Sequence, residues 1–129
     1  MDILFEKIPY DPEDEESDTY IGISADECFD IHVDKDCVGR IWLSYDRAFP
    51  DGDEYLPVYI EWIEFCSRFQ NKHLLRPVME HLLNEKGAIY LESTKGLEKK
   101  YEHIGCNSLG EDRFTGLTRF SYTPKNEEK

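Results

Sequence analysis

YIEWIEFCSRFQNKHLLRPVMEHLLN, residues 59–84, followed by AIYLESTKGLEKKYEHIGC, residues 88–106, decides the fold of this chain. The first stretch opens as an aromatic strand ending at Phe65 and passes through a short basic loop. It then enters a helix in which Leu74, Leu75, Val78, Met79, Leu82 and Leu83 recur at helical spacing. Gly87 stands where a helix-closing glycine belongs. Ala88 to Leu91 reads as a second strand, and a shorter helix from Gly96 to His103, with Leu97, Tyr101 and Ile104 on one side, ends at Gly105. A strand, helix, strand order predicts a parallel crossover. The helix N-terminus then faces a gap between strands, where backbone N–H groups attract anions; this is a phosphate site in outline.

The charge pattern agrees with that outline. The chain carries a formal net charge of −13, yet Arg68 to Lys100 holds seven basic residues (Arg68, Lys72, Arg76, Lys86, Lys95, Lys99, Lys100) against four acidic ones (Glu80, Glu85, Glu92, Glu98). That is a local +3, leaving −16 elsewhere. A basic region on an acidic protein gathers anionic ligands at one place. The acidic remainder repels a phosphate backbone, so nucleic acid is excluded as a partner. No apolar run is long enough to span a membrane, and Glu6 and Lys7 interrupt any signal-peptide pattern at Met1 to Phe5. The expectation is a soluble cytoplasmic protein with no membrane partner. With 129 residues, 40% of them hydrophobic, one domain over 1–123 is expected, with a disordered charged tail at 124–129.

Cys28, Cys37, Cys66 and Cys106 form no C-x-x-C pair and read as reduced thiols. Cys28, His32 and Cys37 lie close in sequence, but they lack regular zinc spacing and a fourth ligand, so no metal is expected.

Toward the N-terminus, Ile3 to Ile8 reads as a strand and the acidic run Asp11 to Asp18 as a solvated loop. Tyr20 to Asp26 reads as a turn of helix or a short strand. Cys28 to Val33 and Val38 to Tyr45 alternate apolar and polar residues around Asp34-Lys35-Asp36, which predicts a hairpin with His32 half-exposed. Ala48 to Leu56 carries loop signals. In the next strand the apolar parity slips from Val58, Ile60 and Trp62 to Ile63 and Phe65. Either a bulge near Trp62 returns both sets to the core, or both faces are covered. Arg113 to Tyr122 supplies one or two strands, and an exposed last strand at Leu117 to Tyr122 offers an edge for a homodimer.

Gln70-Asn71-Lys72-His73-Leu74-Leu75 and Tyr101-Glu102-His103-Ile104-Gly105-Cys106, in this order and spacing after the strand ending at Phe65, resemble the GCN5-related N-acetyltransferase superfamily. The resemblance covers roughly Cys28 to Tyr122. It implies an α/β (α+β) fold: a mixed, mostly antiparallel sheet with one parallel strand-helix-strand crossover and splayed central strands. It also implies acetyl-CoA as co-substrate. By that resemblance the backbone of Phe65 meets pantetheine. Gln70, Asn71, Lys72, His73, Leu74, Leu75 and Arg76 surround the pyrophosphate, and Thr94 stands where many members carry Asn. His73 and Leu75 take the places of two family glycines, and Pro77 fits best in a first helical turn.

The implied chemistry moves an acetyl group to a small-molecule or peptide amine. Glu61 and Glu64 are the candidate bases, because carboxylates on a largely apolar strand suit proton uptake near neutrality. Tyr101 is the candidate acid for the departing thiolate. The second reading is a noncatalytic binding or regulatory module that has lost the cofactor loop. His73, Leu75 and the short Pro9 to Glu27 segment favour it.

Overall fold

In the computed structural model, residues 1–48 and 55–123 are described. The expected turn at Phe49 to Asp53 and the expected tail at 124–129 lie outside them. The elements are β1 (Ile3–Ile8), β2 (Glu27–Val33), β3 (Asp36–Ala48), β4 (Tyr55–Phe65), α1 (Leu75–Lys86), β5 (Ile89–Ser93), α2 (Glu98–His103), β6 (Asn107–Glu111) and β7 (Thr118–Tyr122). The strands form a mixed sheet in the order β1-β2-β3-β4-β5-β7-β6, with one parallel pair. The chain divides into two compact units, Met1–Ser44 with Ile60–Leu74, and Tyr45–Tyr59 with Leu75–Lys129.

In the first unit β1 pairs antiparallel with β2, Ile3 opposite Val33 and Ile8 opposite Cys28. β2 pairs antiparallel with β3 around Asp34 and Lys35, whose φ values of 49° and 76° are the left-handed pair a two-residue hairpin turn needs. A register shift beside Ile31 and His32 sets Cys37 opposite His32 and Gly39 opposite Ile31. Ile31, Val33, Ile41 and Leu43 are buried by the strand alternation. On the other face, Cys28 and Trp42 pack with Ala25, and Ile8, Tyr10 and Ile21 close over them.

Tyr10, Ile21 and Ala25 belong to the connection between β1 and β2, which has no regular element; Tyr20 to Asp26 forms neither helix nor strand. It descends instead through successive turns, the amides of Asp14, Ser17 and Tyr20 donating to the carbonyls of Asp11, Asp14 and Ser17. The Asp11 and Asp14 carboxylates accept from the amides of Glu13 and Glu16, local bonds that compete with helix. Two side chains of β3 fasten the end of this connection. Trp42 Nε1 donates to the Thr19 carbonyl at 2.9 Å, and Arg40 donates to the Asp18 carbonyl at 3.3 Å.

β4 runs without interruption, and its burial settles the parity slip differently from a bulge that returns Trp62 to the core. Val58, Tyr59 and Ile60 are all buried, so both faces are covered there. Beyond them Trp62 is 45% exposed, its indole N–H donating to Glu64 Oε1 at 2.8 Å along its own strand.

In the second unit β5 pairs antiparallel with β7, Ile89 opposite Tyr122 and Ser93 opposite Thr118. β7 also pairs with β6. The last strand is therefore interior and has no free edge, which removes the expected dimer edge at Leu117 to Tyr122. β6 itself was not legible: every residue of Asn107–Glu111 is exposed. α1 buries Leu75, Val78, Met79 and Leu82. Pro77 sits in its first turn, where a missing N–H costs nothing, and the Gly87 amide closes it on the Leu83 carbonyl at φ 81°. α2 presents Tyr101 to Phe120, ring centroids 5.8 Å apart. Leu97, expected on the same side, is 47% exposed, because the turn Lys95–Leu97 before α2 is 3-10 and changes the angular spacing. Among the described residues no helix is long and apolar enough to cross a membrane.

Candidate functional site

The candidate residues fall into both units. The first holds Glu61, Glu64, Phe65 and the loop Gln70 to Leu74; the second holds Leu75, Arg76, Thr94 and Tyr101.

In the first unit, close approach of β3 to the end of β4 fixes the backbone at Phe65. The Cys66 amide donates to the Val38 carbonyl at 2.8 Å. A Cβ on Gly39 would lie 2.2 Å from the Glu64 carbonyl oxygen and 3.0 Å from Phe65 Cα. Only glycine fits. Glu61 accepts from Ser44 Oγ at 2.7 Å, an oriented half-buried carboxylate. Glu64 points to the exposed side and holds Trp62.

After β4 a single 3-10 turn, Ser67–Phe69, leads into the loop. The Gln70 side-chain amide donates to the Phe65 carbonyl at 3.0 Å, so this acceptor at the strand end is engaged by the chain itself. Asn71 and His73 have φ values of 64° and 57°. A side chain in the left-handed region costs about 1 kcal/mol. His73 thus keeps the conformation that a glycine would supply freely, and its ring is exposed. Lys72, between them, is exposed as well.

In the second unit Leu75 opens α1 with its side chain 7% exposed, buried in the core. Arg76 donates to the His103 carbonyl at 2.7 Å, tying the first turn of α1 to the end of α2. Thr94 is exposed and accepts through its carbonyl from the Leu97 amide and from Ser93 Oγ. Tyr101 is 8% exposed, and burial, then the Cys106 charge, pushes its hydroxyl up to about 12. It stays protonated, as a donor must, but it is packed as a core aromatic.

Sequence reasoning missed a carboxyl pair in this unit. Burial first, then Asp112, raises Glu92 from 4.5 to about 7, against the lowering effects of the Tyr59 hydroxyl and Arg47. Tyr59 donates to Glu92 Oε1 at 3.2 Å, and Arg47 lies 4.5 Å above the Tyr59 ring. Asp112 is 1% exposed, and its Oδ1 accepts from the amides of Phe114 and Thr115. Glu92 and Asp112 can hydrogen-bond each other only when one carries a proton, so their titrations are coupled. Nothing in the spacing of residues 92 and 112 signals this; strand order creates it.

The raised value fixes a sign. Between about pH 4.5 and 7 the folded protein holds a proton at Glu92 that the unfolded chain releases, so this group's contribution to stability declines as pH rises through that window. Glu92→Gln abolishes the decline. In urea titrations at pH 5 and pH 8, the variant is expected to gain on the parent at the higher pH; a pH-independent difference would refute the raised pKa.

The sequence matches no protein-family model. No curated protein sequence matches it either. Solved structures do resemble the chain. One is the Bacillus subtilis N-acetyltransferase YlbP in complex with coenzyme A, 17% identical, TM-score 0.56, covering 75% of this chain and 67% of that one. Another is a spermidine/spermine N-acetyltransferase of Vibrio cholerae, 17% identical, TM-score 0.54, with 78% and 68% covered. A third is an IAA acetyltransferase from Bacillus cereus, 13% identical, TM-score 0.59, with 95% and 100% covered. At these identities the likeness is one of fold, and the fold is that of the GCN5-related N-acetyltransferases.

Proposed function

We propose that this chain is an acetyl-CoA-dependent N-acetyltransferase acting on a small amine. The observation that carries the reading is the fold, shared with N-acetyltransferases of which one was crystallised with coenzyme A. Two details of the loop support it. His73 retains a left-handed backbone where the family has glycine, and the Leu75 side chain is buried in the core. Neither replacement needs to stand where phosphate oxygens approach backbone amides. Lys72 and the exposed His73 would add side-chain charge or donors there, and the Phe65 backbone would meet the pantetheine arm. Acetyl-CoA would supply the activated acyl group.

In that reading Glu61, held by Ser44, takes a proton from the attacking amine directly or through water, Glu64 being the second candidate. Tyr101 donates toward the thiolate if acyl transfer opens a path to its hydroxyl. The acidic surface, with Asp11 to Asp18 at its most concentrated, draws cationic acceptors. A polyamine, the substrate named for one structural neighbour, is the first acceptor to try.

The module reading has its own observations. Gln70 engages the Phe65 carbonyl and Arg76 the His103 carbonyl, so two groups of the loop region already have partners within the protein. Thermal unfolding with coenzyme A and acetyl-CoA separates the readings. A ligand at a hundred times its Kd stabilises by about 2.7 kcal/mol, which a melting curve registers plainly. The expected result is a rise with both ligands that Lys72→Ala diminishes, then thiol release with spermidine that Glu61→Gln suppresses. No rise at millimolar ligand leaves the module.

A further inference from the structure

We propose a divalent transition-metal site of zinc type on the β1-β2-β3 face, with Asp30, His32 and Cys37 as ligands. One donor atom from each lies within 4.8 Å of the others. Strand register makes this arrangement. Cys37 stands directly across from His32, and Asp30 lies two residues from His32 on the same side of β2. Bonds of about 2.0–2.3 Å in a tetrahedron place ligand atoms roughly 3.3–3.8 Å apart, so rotations of the exposed Cys37 and the partly buried Asp30 and His32 side chains close the set around an ion. Cys28, the partner that the sequence suggests, is buried beneath Trp42 and Ala25 and takes no part.

The surroundings of these three side chains are those of a metal centre's outer contacts. Glu6 Oε1 lies 2.9 Å from His32 Nε2. With that nitrogen donating to the carboxylate, Nδ1 carries the lone pair that a metal takes. Arg40 Nε donates to Asp30 Oδ1 at 2.8 Å, orienting a carboxylate that still has a second oxygen. A hollow of about 450 Å³ lined by Glu6 and His32, together with Asp2, Ile3, Leu4 and Lys35, opens beside the His32 ring. One thiol, one imidazole and one carboxylate select zinc or cobalt over calcium or magnesium. On binding, a metal–sulfur bond forms as the Cys37 proton leaves to solvent, and water completes the fourth position. The centre would clip β2 to β3, and β1 through Glu6, independently of any acyl transfer.

Cobalt(II) titration of the full chain, reduced and metal-free, tests this. The expected result is one equivalent bound, with tetrahedral visible bands and a thiolate-to-cobalt charge-transfer band in the near ultraviolet, both displaced by zinc. Cys37→Ser should abolish the charge-transfer band. His32→Ala and Asp30→Asn should weaken zinc at least tenfold, and Glu6→Gln should weaken it by about tenfold, as outer contacts do. Cys66→Ser and Cys28→Ser should leave the band intact, and far-ultraviolet dichroism verifies that each variant is folded. A band that survives Cys37→Ser, or zinc affinity unmoved in the folded His32 and Asp30 variants, overturns the assignment.

Discussion

Replacing Gly39 with alanine is expected to destabilise the protein by about 3 kcal/mol, the upper end of what an overpacked position costs. The new methyl meets the Glu64 carbonyl oxygen at 2.2 Å and Phe65 Cα at 3.0 Å, both backbone atoms that no rotamer change can move aside. Either β3 or the end of β4 must shift, and the bond from the Cys66 amide to the Val38 carbonyl lies in the path. Urea titration measures the loss. The same substitution should weaken coenzyme A binding, because the displaced backbone is that of Phe65. A Gly39→Ala protein as stable as the parent would mean that the two strands are not held so close.

Trp42→Ala is expected to cost about 3–5 kcal/mol, a large share of the 5–15 kcal/mol that holds a typical domain together. Trp42 is 1% exposed and is the largest side chain of its cluster with Cys28 and Ala25. It also fastens the β1-β2 connection through Thr19. Trp42→Phe separates the two contributions. It keeps most of the apolar contact but leaves a buried carbonyl without its donor, an expected loss of about 1–3 kcal/mol. Limited proteolysis should then cut first between Asp11 and Asp26 in both variants. Equal losses for Phe and Ala would show that packing contributes little beside the hydrogen bond.

The elements legible in the sequence are those whose own residues carry the period. β1, the β2-β3 hairpin and α1 with Gly87 all emerge where alternation, helical spacing or a closing glycine read them. Several of the misses are decided by residues distant in sequence. Asn107 to Glu111 has no apolar face and is a strand only because β7 offers it a ladder. Trp62 looks like core by its side chain, yet the covered part of β4 ends at Ile60. The loop motif from Gln70 to Leu75 was visible as residue types. Its left-handed backbone at Asn71 and His73 was not, since neither residue requires that conformation. Glu92 with Asp112, and Asp30 with Cys37, become neighbours only through strand pairing.

The two rims of the sheet are unequally guarded. β6 is short, its register with β7 slips between Ser108 and Gly110, and Gly110 turns it at φ 96°, all features that spoil it as a template. β1 has a regular six-residue register with β2, and Leu4 on it is 61% exposed. At high concentration, accretion of further chains would therefore start from the Ile3 to Ile8 rim, and added charge there is the way to keep concentrated solutions clear.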